Sequence, residues 1–276
     1  MKTIILANQE AEKLLTILEK ELNKDESIDS LIQKIEGNFD DDRHIYPILT
    51  DYPYENLDDL MKSIYKDKPM IYSEFNLEKV KENFDIKVEK ANLFTDVEEL
   101  RISDFLQETL KRGFKQLLLN EKIRSEVIIM PILLEMQAIN NDSFSIFSGV
   151  ALNADESKGL KGVCDFVLSQ ATEIETIEYP LFSIIEAKYN VIEGAYGQCI
   201  AQMLGCQLLN QQKKHPLRVI YGCITTGNVW KFMKLENNQV WIDRPQYFMD
   251  GSNFSQLGKI LGILQTIINS TQIKIL

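Results

Sequence analysis

A chain of 276 residues with 45% hydrophobic content can bury one large domain, or a domain of ordinary size with an extension. No apolar run approaches the roughly 20 residues of a membrane span. The opening MKTIILANQE turns acidic without a small-residue cleavage site, which predicts a chain with neither anchor nor signal peptide. With only His44 and His215 present, the composition argues against a histidine-centred triad or a His-rich zinc site. Cys164, Cys199, Cys206 and Cys223 show no CxxC pairing and are expected as small core residues of a reduced, cytoplasmic protein. The net charge of −11 looks wrong for a nucleic-acid binder, but its distribution matters more. Residues 1–100 carry 13 basic and 24 acidic residues, whereas residues 101–276 carry 17 of each.

In chain order, residues 1–37 read as helical, with Ala11, Leu14, Leu15, Leu18 and Leu22 at 3–4 spacing and a second segment at Ser27–Ile35. Gly37–Asp42 is a polar break. Tyrosine and the prolines 47, 53 and 69 punctuate residues 43–75, which leaves room for a short helix near Asn56–Tyr65; another helical turn is expected at Leu77–Phe84. No chemistry is assigned to this acidic, mainly helical front region, residues 1–98. A firmer helix starts at Ser103 or Asp104, with Phe105, Leu106, Leu110, Phe114 and Leu117 as its apolar stripe. A second helical stretch, Glu121–Ala138, contains Pro131, which should kink or restart it. Glu126 and Glu135 on it lie about 180° apart, so at most one can face a common site.

Three strands follow at hairpin spacing: Phe144–Leu152, Val163–Ser169 and Tyr179–Lys188. A helix from Glu193 to about Gln212 places Gln198, Gln202 and Gly205 on one face. Strands at Arg218–Thr225, Asn228–Leu235 and Gln239–Ile242, and an amphipathic helix at Ser255–Ile268, complete the pattern. The third strand carries an apolar run suited to burial on both faces, then changes abruptly to Glu186-Ala187-Lys188. Side chains alternate along a strand, so Glu186 and Lys188 share a face. An acid and an amine at the end of a buried strand cost several kcal/mol unless paired, hydrated or bound to metal. The triplet alone says little, since Asp85-Ile-Lys87 and Glu156-Ser-Lys158 have the same form in polar, solvated contexts. With Asp165 on the neighbouring strand, it suits a metal site or a buried salt bridge equally. As a metal site it would hold Mg²⁺ through the Asp165 and Glu186 carboxylates and the Ala187 backbone carbonyl, Mn²⁺ being able to substitute. Lys188 would hold the attacking water and stabilise developing charge.

The order of elements, with the strings RSEVIIMPILLEM, GLKGVCDFVLS, IIEAKYN and GQCIAQMLGCQLLN, resembles the PD-(D/E)xK nucleases over about residues 99–276. The resemblance covers a bacterial and cyanobacterial branch. It implies an α/β (α+β) fold with a restriction-endonuclease-like core, a central mixed sheet flanked by helices. It further implies metal ligation by Asp165 and Glu186, water activation by Lys188, a helix acid at Glu126 and an orienting polar residue at Gln198. The position called P in the family name is Cys164 here. The implied activity is Mg²⁺-dependent endo- or exonucleolytic hydrolysis of nucleic acid, DNA favoured, in defence against foreign DNA or in repair. Lys111, Arg112, Lys115, Lys122, Arg124, Lys213 and Lys214 are the candidates for a phosphate-tracking surface, though such residues usually form solvated faces. A different reading keeps the fold as a silent or autoinhibited interaction module, with the acidic front over the cleft. A homodimer built by the front region is a third expectation.

Overall fold

The structure, a computed structural model, describes residues 70–170, 176–190, 192–251 and 254–272. The helices expected within residues 1–37, the break at Gly37–Asp42 and the short helix near Asn56–Tyr65 lie outside the described residues. The chain divides into two compact units, Met1–Pro69 and Met70–Leu276, and the second is α/β with a central mixed sheet flanked by helices.

Helix α1 (Leu77–Phe84) is capped by the Asn76 side chain, which accepts from Lys79 N–H. Strand β1 (Lys87–Ala91) follows. Helix α2 (Asp104–Gly113) is capped by Ser103, as its sequence predicts. It buries Leu106 and Leu110, but Phe105 and Leu117 are exposed, so the stripe is narrower than the spacing suggested. Helix α3 (Glu121–Arg124) runs through a π-helical turn, Ser125–Ile129, into α4 (Met130–Ile139). Pro131 therefore causes no break. The widened turn lets Met130 N–H reach Ser125 O, five residues back, just before the residue that has no N–H to offer. Gly113 makes room for this turn, because a Cβ there would collide with the Val127 carbonyl.

Strands β2 (Phe144–Ala151), β3 (Val163–Gln170) and β4 (Leu181–Ala187) form an antiparallel meander. Helix α5 (Tyr196–Gln212) then crosses over to β5 (Val219–Thr225), which pairs parallel with β4. Strands β6 (Val229–Glu236), β7 (Gln239–Asp243) and β8 (Tyr247–Phe248) extend the sheet, and α6 (Leu257–Gln272) follows. The strand order is β1-β7-β6-β5-β4-β3-β2, with β8 also on β6. One face of the sheet packs on α2, α4 and α6 through residues such as Leu110, Ile132, Phe182, Ile185 and Leu261. The other packs on α1 and α5 through Val80, Ile184, Cys199, Met203 and Ile224. All seven positions of β4 are buried, as a strand covered on both faces requires. The four cysteines are free and buried. Among the described residues no helix is long and apolar enough to cross a membrane.

Residues 70–98, assigned from sequence to the front region, belong to this unit. Strand β1 pairs parallel with β7 from Lys87↔Gln239 to Ala91↔Asp243, and Val80 of α1 is fully buried. The sequence KVEKA hides this role because an edge strand protects itself with charge, which erases the apolar pattern that marks a strand. The acid excess is redistributed accordingly: residues 1–69 carry 9 basic and 16 acidic residues, and residues 70–276 carry 21 and 25.

Candidate active site

Backbone pairing between β3 and β4 stops at Phe166↔Ile185. Two residues further along β4, the Ala187 N–H donates to Asp165 Oδ2 at 2.7 Å, so a carboxylate replaces a ladder carbonyl. On its other side β4 stays paired with β5 through Ala187↔Thr225, and Lys188 N–H donates to Thr225 O at 2.8 Å. The parallel partner thus fixes Glu186 and Lys188, while Asp165 takes up the freed edge.

The Glu186 carboxylate is 2% exposed and surrounded by donors. Lys188 Nζ lies 2.7 Å from Oε1, in keeping with their shared strand face. Gln198 Nε2 donates to the same oxygen, and Gln202 Nε2 donates to Oε2 at 2.7 Å. The two glutamines are four residues apart on α5 and so project from one face of it. Gln202 is itself wholly buried, and its Oε1 has no partner. Ala187 points to the opposite core.

Burial, then the nearby Asp165 charge, pushes the Glu186 carboxyl up to about 7, against the pull of Lys188 and Gln202. Burial also raises Asp165 and Glu121 adds to the rise, although the Ala187 N–H, Lys188 and Glu186 oppose it. For Lys188 burial alone would lower the ammonium, but Glu186, then Glu121 and Asp165, outweigh it and hold it above its ordinary value. In this state Lys188 is a proton donor and a source of positive charge, not a base.

Burial raises both carboxyl groups, and Asp165 raises Glu186 further, so the pair favours added positive charge; an oxygen-only donor set suits a hard divalent cation that keeps several waters. Among the described residues no three His, Cys, Asp or Glu side chains form a metal-holding cluster, so the donors from this chain would be the Asp165 and Glu186 carboxylates with the Ala187 carbonyl. The residues present fit such an ion.

The helix acid differs from expectation. Glu126 is exposed and points at Lys122, 4.0 Å away. The charge from this helix that acts on Asp165 and Lys188 comes from Glu121, in its first turn. Glu135 serves α2, accepting from Ser103 Oγ at 2.9 Å. Of the basic candidates, Arg112 is tied to Glu108 at 3.0 Å and Lys122 to Glu126. Arg124 is committed to the β5–β6 loop: Nη1 donates to Thr226 O at 2.8 Å and Asn228 Oδ1 at 3.0 Å, and its guanidinium covers the Tyr189 ring at 5.2 Å. Lys213 sits over the Tyr179 ring, and at about 1.5 Å per residue it and Lys214 lie about 22 Å along α5 from Gln198. Lys111 and Lys115 are exposed on and just beyond α2. These residues do not form one continuous basic track around the carboxylate pair. Glu121 and Gln202 are the site residues that sequence reasoning left out. The i+4 spacing of Gln202 from Gln198 carried a usable signal; Glu121 carried none beyond following the Asn120 cap. No protein-family model matches the chain, and no curated protein matches it.

Proposed function

We propose that the protein is a metal-dependent nuclease that hydrolyses phosphodiester bonds at the Asp165–Glu186–Lys188 site, with DNA the favoured substrate. The observation that carries this reading is the convergence of two carboxyl groups, both raised by burial, and a lysine bonded to Glu186 where β3 and β4 part. The order of elements, a helix, the β2–β3–β4 meander, α5 and the parallel β5, supports a restriction-endonuclease-like core. A bound Mg²⁺ or Mn²⁺ would polarise the phosphoryl oxygen and acidify an attacking water. Lys188 donates hydrogen bonds and positive charge to the reacting phosphate and holds the water. Gln198 and Gln202 lock the Glu186 rotamer, and the Ala187 N–H holds Asp165 in place. Glu186 holds Lys188 protonated, and Glu121 adds to that hold.

The test incubates single- and double-stranded DNA and RNA with the full chain and Mg²⁺ or Mn²⁺, beside Asp165→Ala and Lys188→Ala. Cleavage by the wild type, reduced about 10²- to 10³-fold in each variant, is expected. Absence of cleavage by both the full chain and residues 70–276 rejects the enzyme. The fragment starts at residue 70 because a cut at 99 would remove β1 and α1. The three donors already on Glu186 favour one second reading, a resting form that does not yet take a metal, which cleavage by the fragment alone would support.

A further inference from the structure

Next in the chain to Lys188 is a large aromatic residue that the proposed chemistry does not use. Tyr189 directly follows Lys188 and is 39% exposed. Its ring is held under the Arg124 guanidinium, 5.2 Å from the centroid. Arg124 is fixed from behind by Thr226 O and Asn228 Oδ1, and its Nε is buried without a partner. Both acceptors are neutral oxygens, so the guanidinium charge meets no carboxylate in an ion pair among the described residues. Arg124 also lies one helical turn from Glu121, whose charge reaches Asp165 and Lys188. An exposed ring and a cation without an ion-pair partner therefore sit together, the ring one residue along the chain from the lysine of the site.

We propose that Tyr189, braced by Arg124, is a stacking platform for an unpaired nucleobase next to the scissile phosphate, so that the substrate is single-stranded or frayed nucleic acid. The proposal rests on the nucleolytic reading of the Glu186–Lys188 site. A base inside a duplex has both faces covered, and exposing one has a cost that a single strand avoids. Stacking on an aromatic ring is tolerant of sequence, because every base has a π-face. The charge distribution points the same way. A duplex binder neutralises many phosphates along a basic track. Residues 70–276 instead carry 21 basic and 25 acidic residues, with Arg112 and Lys122 engaged by acids and Lys213 and Lys214 far along α5. Tyr189 thus supplies through stacking what the surface lacks in charge, and Arg124 keeps the ring from rotating away.

The experiment compares cleavage by the full chain, with Mn²⁺, of a labelled single strand and of the same strand in a duplex. A binding arm measures quenching of an aminopurine-labelled oligothymidylate in EDTA. The wild type is expected to prefer the single strand. Tyr189→Leu, which keeps apolar bulk under Arg124 but has no π-face, should lower the single-strand to duplex ratio of kcat/KM about tenfold, chiefly through KM, and abolish the quenching. Tyr189→Phe, which keeps the ring, should retain both the preference and the quenching. A ratio and quenching unmoved by Tyr189→Leu overturn the platform, as does a wild-type preference for duplex. If no substrate is cleaved but quenching depends on the ring at position 189, the nucleolytic reading falls and Tyr189 stands only as a base-stacking site, without a scissile phosphate beside it.

Discussion

Helix α5 touches strand β4 through polar side chains at two places, and the two contacts have opposite characters. Near the start of the strand, Asn210 accepts from Leu181 N–H at 2.8 Å and donates to Leu181 O at 2.7 Å, a closed exchange between neutral groups. At the far end, Gln198 and Gln202 converge on Glu186, whose carboxyl is raised by burial and by Asp165, and the Gln202 amide oxygen is left without a partner. Both contacts are buried and both join the same helix to the same strand. The first is complete in itself and reads as structure. The second keeps an electrostatic demand that the protein does not meet from within, as expected where a ligand supplies the missing charge. The same contrast appears on β7, where the wholly buried Asp243 accepts from Leu93 N–H and Tyr247 Oη–H. A buried acid is therefore not a site merely because it is buried.

The largest stability effect is expected from breaking the closed contact. Asn210→Leu strands the Leu181 N–H and C=O, each worth about 1–3 kcal/mol. Urea unfolding should show a loss of about 2–6 kcal/mol, whereas Gln198→Leu, at the open contact, should lose less stability and more activity. An equal stability loss in both variants would erase the distinction.

Removing the charge at the open end should do the reverse. Glu186 is raised above its unfolded value of about 4.5 to about 7, so the folded state holds this proton more tightly than the unfolded chain does. Its contribution is fully present below about pH 4.5 and is lost as pH rises through about 7. Metal-free wild type should therefore lose on the order of 1–3 kcal/mol over that window, Asp165 acting in the same direction. Glu186→Gln should flatten the profile and be the more stable protein near neutral pH. A pH series of denaturant midpoints decides this, and parallel profiles would reject it.

Filling the open site should restore what the pair lacks. Because a cation competes with the proton, Mn²⁺ should raise the melting temperature by a few degrees, more at about pH 8 than at about pH 6. Asp165→Asn should abolish the shift, whereas Asn210→Leu should keep it from its lower baseline. Scanning calorimetry with and without EDTA reads this directly. The smallest effect separates the two acids of the helix: Glu121→Gln should reduce cleavage a few-fold by removing a charge that acts on Asp165 and Lys188, and Glu126→Ala should leave both cleavage and stability within about 0.5 kcal/mol of wild type.

What the sequence by itself determined is the local and periodic part of the molecule. The apolar run into Glu186-Ala187-Lys188 identifies a doubly buried strand, alternation puts Glu186 and Lys188 on one face, and the capping of α2 by Ser103 is legible at once. These features depend on neighbours within a few residues, where burial leaves a repeating mark. Residues in sequence-remote contact leave none. β1 became a strand only because β7 offered it an edge, and its charged sequence concealed that. The acid whose charge reaches Asp165 and Lys188 is Glu121 and not the exposed Glu126, a difference that depends on how the helix rotates on the sheet, which packing decides and periodicity does not. Arg124, a candidate phosphate contact by sequence, is engaged by the β5–β6 loop and Tyr189, each more than sixty residues away in the chain. The carboxyl pair was visible as Asp165 and Glu186. That burial raises both groups, and that Asp165 raises Glu186 further, depends on the end of backbone pairing at Phe166↔Ile185, which brings them into one low-dielectric space.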